Sequence, residues 1–190
     1  MPWNIPILLT WLRILIIPVF TILFYLPSSW VADRDLINWL AAGFFAAAAI
    51  TDWFDGYLAR KWNQTSNFGA FLDPVADKLM VAVALILLVA TGRTYALFAM
   101  IIIGREITIS ALREWMAQMG KRSSVAVAKI GKFKTAAQMV AIFLLLLTSA
   151  PTLAPNWIWV LGNILMLLAC ILTVWSMLYY LKMAVKEFKQ

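Results

Sequence analysis

Six continuous apolar runs, at roughly 7–26, 36–59, 70–90, 95–116, 130–150 and 157–181, take up most of the chain. About 20 apolar residues are what an α-helix needs to cross the hydrocarbon of a bilayer. Transmembrane β-strands would instead read as short alternating segments. Composition agrees: 64% of the 190 residues are hydrophobic, 13% are charged and mean hydropathy is +0.85. A water-soluble domain carries about 45–50% apolar and about 25% charged residues. The expected fold is an all-α integral membrane protein, a single domain over residues 1–190 with six transmembrane helices. Turn-rich breaks at Pro27-Ser-Ser, Thr91-Gly92 and Ala150-Pro151 to Pro155-Asn156 separate the runs. The first run reads as a span and not as a cleaved leader, because residues 1–6 hold no Lys or Arg and no small-residue cleavage site follows.

Charge placement gives an orientation. Arg60, Lys61, Arg113, Lys121, Arg122, Lys129, Lys132, Lys134, Lys182, Lys186 and Lys189 lie on one set of alternate ends, against Arg34 and Arg93 on the other. The positive-inside rule then puts both termini in the cytoplasm. The formal charge of +7 needs no nucleic-acid partner, since basic residues beside spans set topology and meet anionic headgroups. With no histidine, a histidine base, a histidine metal ligand and a Ser-His triad are excluded. Cys170 is the one cysteine and reads as a small core residue.

Against this apolar background stand Asp52, Asp55, Asp73 and Asp77, near the ends of the second and third runs. Carboxylates at membrane depth are expensive and mark function. On helices, residues three or four apart share a face, so each pair points one way. Antiparallel neighbours joined by a short loop would bring both pairs to one membrane level, the cytoplasmic one. Such an oxygen cluster suits hard divalent cations, Mg²⁺ or Mn²⁺, and two ions would suit displacement at phosphorus. Gly56, beside the carboxylates, serves either close helix packing or the approach of a flat ligand to the backbone, and Gly69 repeats the arrangement on the third helix. Pro74 is expected in the first turn or two of the third helix, where its missing N–H is cheap.

The pattern Asp52-x2-Asp55-Gly56-x2-Ala59-Arg60-x8-Gly69-x3-Asp73-x3-Asp77 resembles the complete motif of the CDP-alcohol phosphotransferase family. Asn4-Ile-Pro6-Ile-Leu-Leu-Thr10-Trp-Leu-Arg13 resembles the family's N-terminal element. Gly104-Arg105-Glu106, Ala111-Leu112-Arg113-Glu114-Trp115 and Gly131-Lys132-Phe-Lys134-Thr135 resemble its bacterial branch that makes phosphatidylglycerol phosphate, closest to Gram-negative members.

The resemblance implies a homodimeric enzyme of six transmembrane helices per subunit in the bacterial inner membrane, its site open to the cytosol. It implies CDP-diacylglycerol as donor, sn-glycerol 3-phosphate as acceptor and CMP as by-product. Asp52, Asp55, Asp73 and Asp77 would hold the metal ions, with Asp77 as general base. Asn4, Thr10, Asp52, Gly56, Ala59, Arg60 and Gly69 would contact the CDP moiety. An anionic acceptor needs a cationic pocket, for which Arg105, Arg113, Lys132 and Lys134 are the candidates; Arg105 could instead pair with Glu106. Other readings stay open at this point: the same chemistry with serine or inositol phosphate as acceptor, or a divalent-cation transporter. The transporter would want polar residues through the bilayer depth, and here the acids crowd one side.

Overall fold

A computed structural model describes residues 5–27, 29–30, 33–61, 67–119, 129–149 and 156–188; side chains at 5–7, 53–61, 67–68, 70, 129–132 and 186–188 lie outside the description. These residues form six helices and no strand: α1 (Ile5–Tyr25), α2 (Arg34–Lys61), α3 (Asn67–Ala90), α4 (Ala96–Gln118), α5 (Lys129–Leu146) and α6 (Trp157–Phe188). Helix α1 packs on α2 and α3, α4 on α3 and α6, and α5 along α6 and against α2.

Local chemistry sets several ends. The Asp33 carboxylate accepts from the Asp35 and Leu36 amides at 2.9 and 3.4 Å, capping α2. Asn156 does the same for α6, accepting from the Trp159 amide at 2.7 Å. Helix α3 ends at Ala90, and the chain then turns at Gly92, whose φ of 68° is cheap only for glycine. The Gly92 and Arg93 amides turn back to the Val89 and Leu88 carbonyls, satisfying the last turn.

The buried interior joins Phe20, Phe45, Leu85, Ile102, Ile142 and Met166 from all six helices. Gly162 lets α6 pack tightly on α5: a Cβ there would stand 2.8 Å from Leu145 Cγ. The outer surface reverses the pattern of a water-soluble protein. Leu8, Leu12, Leu15, Val19 and Ile22 form an exposed stripe along α1, and Ile164, Ile171, Trp175, Leu178 and Val185 form one along α6. Apolar faces of this extent need a non-aqueous partner. Leu8–Tyr25 and Trp157–Val185 are long and apolar enough to cross a membrane, and only 17% and 33% of their membrane-length windows are buried. Among the described residues the other helices do not meet that criterion; α2, α3 and α4 carry charged residues within their lengths.

Three expectations need correction. Helix α5 ends at Leu146, short of the expected 150, where the chain turns through Thr148 and Ser149. Helix α6 runs on to Phe188, because the polar residues after 181 include good helix formers. Helix α3 begins at Asn67, so Pro74 lies inside it, where proline removes a backbone bond to the carbonyl four residues back. Arg93 lies in the α3–α4 turn, as expected, and it is buried there. It is 7% exposed and donates to the Leu146 carbonyl at 2.9 Å and to Asn38 Oδ1 at 2.7 Å. Its own carbonyl accepts from Asn163 at 3.1 Å, and its guanidinium lies over the Phe24 ring. This clamp closes the end of the bundle remote from the aspartates.

Candidate active site

The aspartates are oriented from α1. Thr10, fully buried, donates to Asp73 Oδ1 at 2.5 Å. One turn further on, buried Arg13 donates to Asp52 Oδ1 at 2.7 Å. A single face of α1 therefore holds one carboxylate from α2 and one from α3. Each contact uses one oxygen of its carboxylate, and ligating carboxylates are commonly held by a hydrogen bond in this way. Gly69 is buried in the first turn of α3. Asp55, Gly56, Ala59 and Arg60 sit on the last turns of α2, but their side chains lie outside the described residues, as does Asn4. Among the described residues no three acidic side chains stand close enough to form a ligand set. Asp52, Asp73 and Asp77 still offer hard oxygen donors of the type Mg²⁺ and Mn²⁺ take, and two of them already have orienting partners.

Asp77 lies one turn beyond Asp73 and faces a second region. A cavity of about 560 Å³ opens between α3, α4, α5 and α6. Its ionic lining is Asp77, Lys78, Arg105, Glu106, Arg113 and Lys134. Arg105 and Lys134 both donate to Glu106 Oε1, at 2.7 and 3.0 Å. Arg105 also reaches Ser176 of α6 at 3.4 Å. The Arg113 guanidinium sits over the Tyr180 ring, 5.9 Å from its centre, in a cation–π arrangement. Lys78 donates to Ser110. The charges of Asp52, Arg13, Glu106 and Lys78 all lie within electrostatic reach of Asp77. It lines the cationic cavity from a position one helical turn beyond Asp73.

Three of the four expected phosphate ligands, Arg105, Arg113 and Lys134, thus meet in one cavity; the Lys132 side chain lies outside the described residues. The expected pairing of Arg105 with Glu106 is present as well. Arg13, Lys78, Glu106 and Tyr180 were not among the expected site residues. Arg13 carried a usable signal, being a charge within an apolar run and three residues from Thr10, on the same helix face. Tyr180 carried none, because a tyrosine near the end of a span reads as an interfacial anchor.

A model of CDP-alcohol phosphatidyltransferases matches residues 3–175, nearly the whole length over which these helices are assembled. The chain belongs to the CDP-alcohol phosphatidyltransferase family. It is 52% identical over 187 residues to proteins of Escherichia coli (strain K12) and Shigella flexneri, covering 97% of this chain and 96% of each of theirs. Both are named CDP-diacylglycerol–glycerol-3-phosphate 3-phosphatidyltransferase. Of the motif aspartates whose side chains are described, Asp77 is the one that also lines the cationic cavity.

Proposed function

We propose that this protein transfers the phosphatidyl group from CDP-diacylglycerol to sn-glycerol 3-phosphate, giving phosphatidylglycerol phosphate and CMP. The activity named for its relatives is the starting point. The observation that carries the reading is that Asp77, one helical turn beyond the Thr10-held Asp73, lines a cavity with Lys78, Arg105, Arg113 and Lys134. A phosphomonoester carries about −1.5 to −2 charge at pH 7, and such a cavity is suited to it.

In this reading the free primary hydroxyl of the acceptor attacks the phosphatidyl phosphorus. A new P–O bond forms there, and the bond from that phosphorus to the CMP oxygen breaks. Asp77 accepts the hydroxyl proton as attack proceeds, the role of a general base within hydrogen-bond reach. Arg105, Arg113 and Lys134 hold the acceptor's phosphate and so aim its hydroxyl toward Asp77. Thr10 and Arg13 fix Asp73 and Asp52. Asp52, Asp55, Asp73 and Asp77 would hold Mg²⁺ or Mn²⁺, as two ions; bound there, the metal supplies charge neutralisation for the diphosphate and the departing CMP. Asn4, Gly56, Ala59, Arg60 and Gly69 line the CDP side.

The same proposal includes the membrane setting. All six helices cross the bacterial inner membrane, with both termini cytoplasmic and the site at the inner-leaflet headgroup level, and two copies form the working dimer. The outward apolar stripes of α1 and α6 and the basic bias of the cytoplasmic ends support this. Acceptor choice is tested by offering labelled glycerol 3-phosphate, serine and inositol phosphate to purified protein with CDP-diacylglycerol. Label enters lipid from glycerol 3-phosphate; transfer to serine in its place would overturn the assignment.

A further inference from the structure

Glu106 is out of place in a pocket for an anion. A carboxylate near a bound phosphate costs repulsion, so its presence needs a reason. One reason is structural: buried cations require partners, and Arg105 and Lys134 are 9% and 2% exposed. Both, however, donate to the same oxygen, Oε1. Oε2 makes no hydrogen bond to any described residue, and the Glu106 side chain keeps 28% exposure as part of the cavity lining. A carboxylate present only to satisfy the two cations would have both oxygens to offer them. Here one oxygen is committed and the other is left for something that enters the cavity.

Charge matching supports the same view. The lining carries four cations, Lys78, Arg105, Arg113 and Lys134, and two carboxylates, Asp77 and Glu106. The resulting excess of two positive charges balances a phosphomonoester of about −1.5 to −2. A negative, acceptor-only oxygen beside that phosphate cannot bind the phosphate itself. It can accept a hydrogen bond from a hydroxyl carried one or two carbons away.

On the proposed reaction, glycerol 3-phosphate brings two hydroxyls, and Asp77 accounts for one. We infer that Glu106 is a specificity-determining residue whose free Oε2 accepts a hydrogen bond from the acceptor's central hydroxyl, while Oε1 holds Arg105 and Lys134 in place for the phosphate. The residue thereby selects a phosphorylated polyol over a phosphorylated simple alcohol, and it fixes which hydroxyl is presented to Asp77.

This inference rests on the proposed function, and the test separates the two. Purified protein is assayed for CMP release with CDP-diacylglycerol and either glycerol 3-phosphate or 1,3-propanediol monophosphate, which lacks only the central hydroxyl. A hydrogen bond to a charged group predicts that the wild type favours glycerol 3-phosphate by about 10- to 100-fold in kcat/KM. In Glu106→Ala that preference shrinks to within a few-fold, and Glu106→Gln, which keeps a neutral carbonyl acceptor, falls between. Because the ratio is taken within each enzyme, general damage to the pocket cancels. Variants that turn over more slowly yet keep the wild-type preference would reduce Glu106 to a support for its cations and overturn the inference. A wild type that uses both acceptors equally would overturn it without any variant. A wild type that uses neither acceptor contradicts the proposed function itself.

Discussion

Arg13 donates to Asp52 at 2.7 Å from a site where the arginine is 2% exposed and the aspartate 46% exposed. The buried partner is the fixed one, so α1 dictates where the α2 carboxylate points. Arg13→Gln is expected to lower kcat/KM for CDP-diacylglycerol by about 10- to 100-fold, the usual cost of losing an outer-shell partner at a metal-type site. Asp52→Asn should lose at least as much. The two residues act as a unit, so the double variant should be little worse than Asp52→Asn alone. Initial rates of CMP release across this cycle check the point; independent, multiplying losses would show that the pair is not coupled.

Asp77 lines the cationic cavity one helical turn beyond Asp73, and the proposed mechanism makes it the general base. Asp77→Asn keeps the size and removes the base. Turnover should fall by about 10²- to 10⁴-fold, while binding of CDP-diacylglycerol, measured directly at equilibrium, persists. Near-normal turnover in this variant would refute the base assignment.

Arg113 is the cleaner probe of the phosphate pocket, because it is exposed whereas Arg105 and Lys134 are buried. Arg113→Ala should raise KM for glycerol 3-phosphate by about tenfold or more, from the loss of a charge-assisted contact. KM for CDP-diacylglycerol should change little. Equal effects on both substrates would argue against a dedicated acceptor pocket.

The Arg93 clamp is a stability feature remote from the chemistry. Asp77 and Ala90 are thirteen positions apart on α3, about 20 Å at helical rise. Arg93→Met keeps the apolar stem but leaves the Leu146 carbonyl and Asn38 Oδ1 without their donor. Each unmade buried bond costs about 1–3 kcal/mol. Thermal unfolding in detergent should shift downward, with KM for glycerol 3-phosphate unchanged in the folded fraction.

What could be read in advance follows a physical line. The helices were legible because an apolar run long enough for a bilayer has few other uses, and the aspartates because charge in such a run needs a cause. Helix ends were less so: α6 continues to Phe188 and α5 stops at Leu146, since polar residues prolong a helix or end it according to what they meet. Arg93 read as a loop charge because its turn was visible, while Asn38 and the Leu146 carbonyl, which bury it, come from elsewhere in the chain. Tyr180 and Ser176 join the site only because α6 crosses α4. Such pairings depend on tertiary packing and leave no mark in local sequence.

The central claim is that the α1-held carboxylates and the cationic cavity serve one transfer reaction. The most direct measurement is CMP release by the detergent-solubilised protein as each component is omitted in turn. Release should require CDP-diacylglycerol, glycerol 3-phosphate and a divalent ion together, with chelation abolishing it. Equal CMP release without glycerol 3-phosphate, or with the divalent ion chelated, would contradict the account.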